Sequence, residues 1–484
     1  MTHTTIQRTA SGYISLLYVA FYLSFCFITC MPVVANGQLL QNPLPPKTAI
    51  VDDGHGITKA MKAGDVAALS LILKSDLFPL TRGYANAAYY RTLFDLKRSS
   101  LYARRCLDSS LKKNGTHTNP VMATLCGELL AGNYNIQGDI SDWASAALET
   151  KRRVTPEFRK VFGSVSFVVA GLENIDFGKF TDFPRIYKAS SQNEVILERV
   201  TPPDFFNKRI ANSTKNDHRY DDSPIFYVIK IEINGSPKDV VLDSGSSISI
   251  FRVAVAKRLG IAVNSSPYLV GLDRVARDPR LSSQVANPEN EAHLGLVKKM
   301  TLESMGKAIH LEGVPVAIGG HIDILGMNVL SKMRSLLLTQ RHLVLNAISR
   351  PNSCNEPLQI ASSPMGGYGL VFRYPVDGIM RNIMLDTGNN TYLSGTASAQ
   401  TTAVANGYSV STQYDVVGIF KTRYFEQSTT LGEGRLAHHL KIRVYPDNHA
   451  PYSYVLGVAA LRDFNVYVNF KRRLACLEPL TKTH

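Results

Sequence analysis

The fold of this chain is decided by a short stretch, VVLDSG at residues 240–245, which recurs as IMLDTG at residues 383–388. In each copy, three apolar residues typical of a strand lead into an aspartate, a hydroxyl residue and a glycine. A lone Asp-Ser/Thr-Gly tripeptide is weak evidence, because average residue usage produces roughly one in every few chains of this length. Its duplication in a matching context makes the pattern specific.

Two further features follow both copies in the same order. The first is a hydrophobic-Gly-hydrophobic turn suited to a hairpin tip, centred on Gly271 and on Gly418. The second is a later glycine strand, ILG at residues 324–326 and VLG at residues 455–457. The aspartate and this later glycine are 83 residues apart in the first copy and 71 in the second. The chain therefore carries two copies of one fold with different insertions.

In these motifs the sequence resembles the pepsin-like and retropepsin-like aspartic peptidases, and its short lobes look closer to the retropepsin-like type. The resemblance covers residues 222–484. It implies a mainly-β, bilobal acid-protease fold, with lobe 1 at residues 222–350 and lobe 2 at residues 351–484. Because both lobes lie in one chain, the resemblance also implies that one chain forms the whole site and that a homodimer is not required.

The resemblance makes Asp243 and Asp386 the catalytic pair of an aspartic endopeptidase. Two carboxylates held close together share one proton, so one can activate a water while the other assists the reacting carbonyl, with no cofactor or metal required. The alternative for both residues is a pair of unrelated turn aspartates. Four residues are expected to support the two loops through glycine turns and through hydroxyl hydrogen bonds between lobes: Ser244, Gly245, Thr387 and Gly388.

Two other features of the motifs leave alternatives open. Gly271 and Gly418 are candidate flap tips over the substrate, and a plain hairpin turn is an equal alternative at both positions. Asn389 and Asn390 follow the second motif, where many active relatives carry a small Ser, Thr or Ala. This departure motivates a second hypothesis, an exported interaction or peptide-binding protein with a catalytically degenerate protease-like domain. The two intact aspartates favour the enzyme.

The N-terminus predicts export. Residues Ile14 to Val34 form an uncharged, apolar stretch long enough to cross a bilayer, so residues 1–35 are predicted to be a signal peptide or a membrane anchor. Small residues ending at Ala35 slightly favour cleavage. Both alternatives predict a periplasmic or extracellular location, and an uncleaved segment would associate the protein with the membrane.

Four cysteines lie outside that segment, an even number that suits disulfides in an oxidising compartment. They permit three pairings. We favour Cys106 with Cys126 and Cys354 with Cys476, because each pair then lies within one predicted domain. Four buried free thiols are the alternative.

The remaining sequence bounds the architecture and the partners. Its 484 residues, 45% of them hydrophobic, suffice for two or three domains with sizeable cores. Apolar residues at three- and four-residue spacing predict an all-α domain at residues 56–161, and residues 162–221 lack a sustained period and are predicted to be a linker. The formal charge of +14 comes from scattered basic residues without a nucleic-acid-binding motif. We therefore expect a peptide or protein substrate and no nucleic acid as partner.

Overall fold

A computed structural model describes residues 54–112, 118–163, 175–188, 193–200, 226–267, 292–348, 351, 354–399, 408–415, 418–446, 448 and 450–480. Residues 1–35, predicted to be a signal peptide or an anchor, lie outside this set. Within it, no helix combines the length and the apolar character needed to cross a bilayer.

The described chain begins with an all-α domain. Its helices are α1 (His55–Ala63), α2 (Val66–Lys74), α3 (Pro79–Thr92), α4 (Leu96–Ser110), α5 (Pro120–Ile136) and α6 (Ile140–Phe162). Four of them begin at a side chain that accepts a hydrogen bond from a first-turn backbone N–H, which stabilises a helix by about 1 kcal/mol. These caps are Asp65, Asp95, Asn119 and Asp139. Buried apolar side chains around Tyr84, Leu129 and Trp143 form the core of the domain.

The rest of the described chain is mainly β. Up to residue 348 the elements are β1 (Tyr187–Lys188), β2 (Val195–Glu198), β3 (Val228–Ile233), β4 (Ser236–Leu242), β5 (Ile250–Phe251), α7 (Val253–Arg258), β6 (Ala262–Pro267), β7 (His293–Ser304), β8 (Lys307–Ile318), β9 (Ile324–Leu325), α8 (Met327–Leu330), β10 (Leu336–Leu338) and β11 (His342–Leu345). The second half contains β12 (Gln359–Ser362), β13 (Tyr368–Val376), β14 (Ile379–Asp386), β15 (Leu393–Gly395), β16 (Ser409–Asp415), β17 (Gly418–Leu431), β18 (His438–Val444), β19 (Tyr454–Gly457), β20 (Phe464–Asn469) and β21 (Leu474–Pro479).

Each lobe is built on one sheet, and the two sheets share a local plan. The first has the order β1-β8-β5-β9-β4-β3-β7-β6 and the second the order β12-β13-β14-β19-β15-β18-β17-β16. In the first, β4 runs parallel to β9, with Val241 opposite Ile324. In the second, β14 runs parallel to β19, with Asp386 opposite Gly457. The strand that carries each aspartate therefore lies beside the later glycine strand, and the predicted bilobal acid-protease fold is confirmed.

A third sheet, β2-β11-β10-β20-β21, joins the lobes. Strand β10 of the first half pairs antiparallel with β20 of the second, with Leu336 opposite Val468, and both side chains are buried. The disulfide Cys354–Cys476 ties β21 to the chain that enters the second lobe, and Cys106–Cys126 joins α4 to α5. Both favoured pairings are confirmed.

Part of the segment predicted as a linker, residues 162–221, is built into the sheets. Strand β1 pairs with β8, and β2 pairs with β11. In β2 the side chains of Val195 and Leu197 are buried and alternate with exposed neighbours, which is the pattern of a half-buried strand. Because β2 has only four residues, it is too short for its period to stand out from the surrounding polar sequence.

Candidate active site

The two aspartates lie where the paired strands of the two lobes meet. Asp243 directly follows β4, and Asp386 is the last residue of β14. The backbone N–H of Asp243 donates to the carbonyl oxygen of Leu325 at 3.1 Å, so the glycine strand β9 fixes the start of the first loop. The side chains of both aspartates are partly exposed, which leaves them open to a substrate.

The loop glycines bring the two lobes into close contact. A Cβ atom on Gly245 would lie 2.6 Å from the carboxyl carbon of Asp386, and a Cβ on Gly388 would lie 2.6 Å from the carboxyl carbon of Asp243. Any larger residue would collide with the partner carboxyl group. Each glycine is therefore required by the aspartate of the opposite lobe, and the two carboxyl groups belong to one site.

Backbone donors orient both carboxyl groups. Oδ1 of Asp243 accepts from the N–H of Gly245 at 2.8 Å and from the N–H of Ser246 at 3.1 Å. Oδ1 of Asp386 accepts from the N–H of Gly388 at 3.0 Å. These bonds form within each loop, so the loop conformation fixes the direction of its carboxyl group before any substrate binds.

The pKa of Asp243 is raised well above its usual range. The largest cause is desolvation of the carboxyl group by the protein atoms around it, even though part of the side chain is exposed, and the neighbouring charge of Asp386 and a hydrogen bond with that carboxyl group come next. The N–H groups of Gly245 and Ser246 act in the opposite direction and are outweighed. Two carboxyl groups this close together hold one proton between them over a wide pH range, which supplies one acid and one base in the same site.

Ser244 and Thr387 connect the two loops by reciprocal hydrogen bonds. Oγ1 of Thr387 accepts from the N–H of Ser244 at 2.9 Å and donates to the carbonyl oxygen of Leu242 at 2.8 Å. Oγ of Ser244 accepts from the N–H of Thr387 at 3.1 Å and donates to the carbonyl oxygen of Leu385 at 3.1 Å. Both side chains are buried, so these four bonds fix the register of one lobe on the other.

The sequence reasoning missed a polar network that supports the first loop. Oδ1 of Asn328 accepts from the N–H of Ser249 at 2.8 Å and from its Oγ at 2.9 Å, and the same Oγ accepts from the N–H of Gly326 at 3.0 Å. All three residues lie at the crossing of the loop and the glycine strand. Asn328 lies two positions after Gly326, whereas the second copy has Ala459 there, so the position gave no repeated signal.

The second loop is supported differently. Oδ1 of Asn389 accepts from the N–H of Thr391 at 3.0 Å and from its Oγ1 at 2.9 Å. The hydroxyl of Tyr392 lies 3.1 Å from Oδ2 of Asp463. The asparagine that departs from the family pattern is therefore a turn-forming residue of this loop.

Only one of the two candidate flap positions, Gly418, lies among the described residues. Gly271 lies outside the described residues, between β6 and β7, which pair antiparallel. Gly418 is the first residue of β17 and lies opposite Asp415 of β16, so it is part of a β-hairpin. A flap role stays a prediction for both.

Among the described residues, no cluster of three or more His, Cys, Asp or Glu side chains could hold a metal ion.

Comparison with known proteins identifies a matching family for part of the chain. Residues 229–329 match the aspartyl protease family. A retropepsin-like aspartic protease from Rickettsia conorii is similar in structure at 17% identity and a TM-score of 0.20, over 33% of this chain and 92% of that one. The crystal structure of edgp is similar at 11% identity and a TM-score of 0.33, over 59% of this chain and 94% of that one. At these values neither neighbour supports an assignment of activity.

No protein of curated function matches the chain. The family match covers the first aspartate loop and its glycine strand. The second loop repeats the same arrangement, and its glycine packs on the first aspartate. The match to the aspartyl protease family thus lies within the first lobe of a bilobal acid-protease fold, which carries a helical domain at its N-terminal side.

Proposed function

We propose that this protein is an aspartic endopeptidase that hydrolyses peptide bonds with a water activated between Asp243 and Asp386. The observation that carries the proposal is the reciprocal packing of each loop glycine on the opposite carboxyl group, together with the raised pKa of Asp243. Catalysis in such a site requires no cofactor, because the acid and the base are both side chains.

In this mechanism the dyad holds one proton. The ionised carboxylate takes a proton from the water as it attacks the scissile carbonyl carbon, and the protonated partner hydrogen-bonds the developing oxyanion and then protonates the leaving amine. Hydrolysis breaks the C–N bond and returns the dyad to its singly protonated state. Activity should therefore fall at a pH high enough to ionise both carboxyl groups.

The proposed substrate is an extended segment of a peptide or protein that lies between the lobes. Both lobes contribute loops to one site, so a single chain is the proposed functional unit. We also propose that the protein acts outside the cytoplasm, because the apolar segment Ile14 to Val34 has the composition of a signal peptide or an anchor. The two disulfides fit such an oxidising environment.

The test is cleavage of a mixed peptide library by residues 36–484 between about pH 3 and pH 8, a range that spans carboxyl titration. Asp243→Asn and Asp386→Asn are expected to abolish cleavage, because each removes one carboxyl group and barely changes the shape of the site. Asp76→Asn makes the same chemical change at an exposed position outside the site and should cleave like wild type.

Each outcome of that experiment has a distinct meaning. Cleavage that survives in either dyad variant would refute the two-carboxylate mechanism. If wild type cleaves no peptide but binds library members, the peptide-binding hypothesis with a degenerate site replaces the enzyme.

A further inference from the structure

The helical domain binds a turn of the second lobe around a buried cation. The turn is residues 363–367, between β12 and β13, and the cation is the guanidinium of Arg91 on α3, which has no exposed surface. Arg91 Nη1 donates to the carbonyl oxygens of Ser363 at 2.7 Å and Pro364 at 2.9 Å. Its Nε donates to Oδ1 of Asn133 on α5 at 2.8 Å, and its Nη2 donates to the carbonyl oxygen of Leu129.

The backbone of α5 is shaped to this turn. A Cβ atom on Gly132 would collide with the carbonyl oxygen of Pro364. Nδ2 of Asn135 donates to the carbonyl oxygen of Met365 at 3.2 Å, and a Cβ on Gly366 would lie 2.5 Å from that same amide nitrogen. We call the surface formed by Arg91, Leu129, Gly132, Asn133 and Asn135 the socket. Without a side chain, Gly132 and Gly366 let the turn lie directly against α5.

Because the charge of Arg91 is buried, separation of the 363–367 turn from the socket would cost free energy. Burial lowers its pKa to about 9, and no carboxylate of the described part of the chain forms an ion pair with it. A buried charge without an ion partner depends on all its hydrogen bonds. Two of its acceptors belong to the second lobe, so removal of the turn would leave the guanidinium underbonded in an apolar domain.

The helical domain also touches the strand that carries Asp386. Nδ2 of Asn382, on β14, donates to the carbonyl oxygen of Ala63 at the end of α1 at 3.3 Å. Gly64 lies against Val371 of β13, where a Cβ would come within 2.9 Å of a side-chain methyl group. Val371 pairs with Met384 of β14. The contact thus reaches the sheet two residues from the aspartate.

Other contacts continue along the same side of the molecule. Asp95, the N-cap of α4, forms an ion pair with Arg473 in the turn between β20 and β21. The ring of Phe94 lies 6.0 Å from the ring of Tyr368 and 5.6 Å from that of Phe470. The helical domain is therefore bonded to both ends of the second lobe.

We propose that the helical domain is a permanent part of the second lobe, and that its socket positions β14 and Asp386 through the 363–367 turn. Arg91 is a positioning residue in this scheme. A cut between the helical domain and the first lobe would then leave the N-terminal fragment bound. The effect on catalysis rests on the proposed function, whereas the retention of the fragment does not.

The first test inserts a recognition sequence for a specific protease after residue 168, so that β1 and β2 stay with the lobes, and cuts the purified protein. The two fragments are expected to co-elute in size-exclusion chromatography and to unfold in one transition. Separation of the fragments in buffer without denaturant would overturn the proposal. This result needs no peptidase activity, so it distinguishes failure of the inference from failure of the proposed function.

The second test compares Arg91→Met, Arg91→Lys and the control Arg82→Met. Arg82 lies on the same helix, but its guanidinium donates to carbonyl oxygens of Leu73 and Ser75, inside the helical domain. In hydrogen exchange, Arg91→Met is expected to expose amides of β12 to β14 at least tenfold faster, with amides of β3 and β4 unchanged. Arg91→Lys should recover part of the protection, and Arg82→Met should match wild type.

Peptide cleavage gives the catalytic readout. Displacement of a catalytic group by about 1 Å costs up to about a hundredfold in rate, so Arg91→Met is expected to lower kcat by tenfold or more with KM changed less. Equal effects of Arg91→Met and Arg82→Met on exchange in β14 would refute the positioning role. If wild type cleaves no peptide, the proposed function fails, and hydrogen exchange and co-elution still decide this inference.

Discussion

Thr387→Val is the sharpest test of how the two lobes are joined. The change keeps the shape of the side chain and removes a hydroxyl that has no exposed surface. The lost hydroxyl leaves the N–H of Ser244 and the carbonyl oxygen of Leu242 without their partner. Each buried polar group left unsatisfied costs about 1–3 kcal/mol, so the loss of both partners should lower the free energy of unfolding by roughly 2–6 kcal/mol.

Thr387→Ser is the matched control, because it keeps the hydroxyl and loses one methyl group, at a cost of about 1 kcal/mol. Urea unfolding followed by far-UV circular dichroism measures both variants, and the shift in midpoint at constant slope gives the change in stability. The single tryptophan, Trp143, reports on the helical domain in the same samples. A Thr387→Val midpoint equal to that of Thr387→Ser would refute the role of the hydroxyl.

Three further predictions concern charge and covalent links. Because the pKa of Asp243 is raised, the folded state holds more protons than the unfolded chain above about pH 3.9, and this carboxyl group lowers the stability of the fold as the pH rises. Asp243→Asn should therefore raise the melting temperature at pH 7 but not at pH 3, as measured by calorimetry. Burial alone would raise the pKa of Asp323, but hydrogen bonds from Arg252 outweigh it and hold the pKa below its usual value. Its stability contribution is therefore present above about pH 3.9 and is lost as pH falls through the lower folded pKa, so Asp323→Asn should cost about 3 kcal/mol at pH 7 and progressively less towards pH 2 in urea titrations. Replacement of Cys354 and Cys476 by serine opens a loop of 122 residues and should lower stability by about 5 kcal/mol in urea unfolding, whereas replacement of Cys106 and Cys126 opens a loop of only 20 residues and should cost about 3 kcal/mol.

The residues of the candidate site could be predicted because their signal is local and occurs twice. An apolar strand, an aspartate, a hydroxyl and a glycine stand together in each copy, so the sequence named Asp243 and Asp386 before their proximity was known. The positions of the later glycines identified the neighbouring strands. The sequence could not show which of the two carboxyl groups has the raised pKa, because the pKa of Asp243 depends on its burial and on Asp386, 143 positions away.

The socket could not be predicted, because its parts are ordinary when considered singly. Arg91 near the end of a helix resembles a solvated side chain, and its burial depends on Ser363, 272 residues further along the chain. Gly132 in α5 is required because the carbonyl oxygen of Pro364 lies against it, and Gly366 in the turn is required because Asn135 lies against it. The short strand β2 was not predicted for a different reason, because four residues are too few to establish a hydrophobic period.

The N-terminal region protects an edge of every sheet in the described structure. Strand β1 is the outer strand of the first sheet, and β2 is the outer strand of the sheet between the lobes. The outer strand of the third sheet is β12, and helices α1 and α3 pack against it, with Gly64 close to the N–H of Ala361. Exposed strand edges are sites of aggregation, and proteins usually cover them. A chain that lacked residues 54–200 would therefore expose one edge of each sheet and also lose the contacts that hold the Asp386 strand. The helical domain and the two short strands after it thus form one structural unit with both lobes, which explains why a domain without any residue in the candidate site belongs to the folded protein.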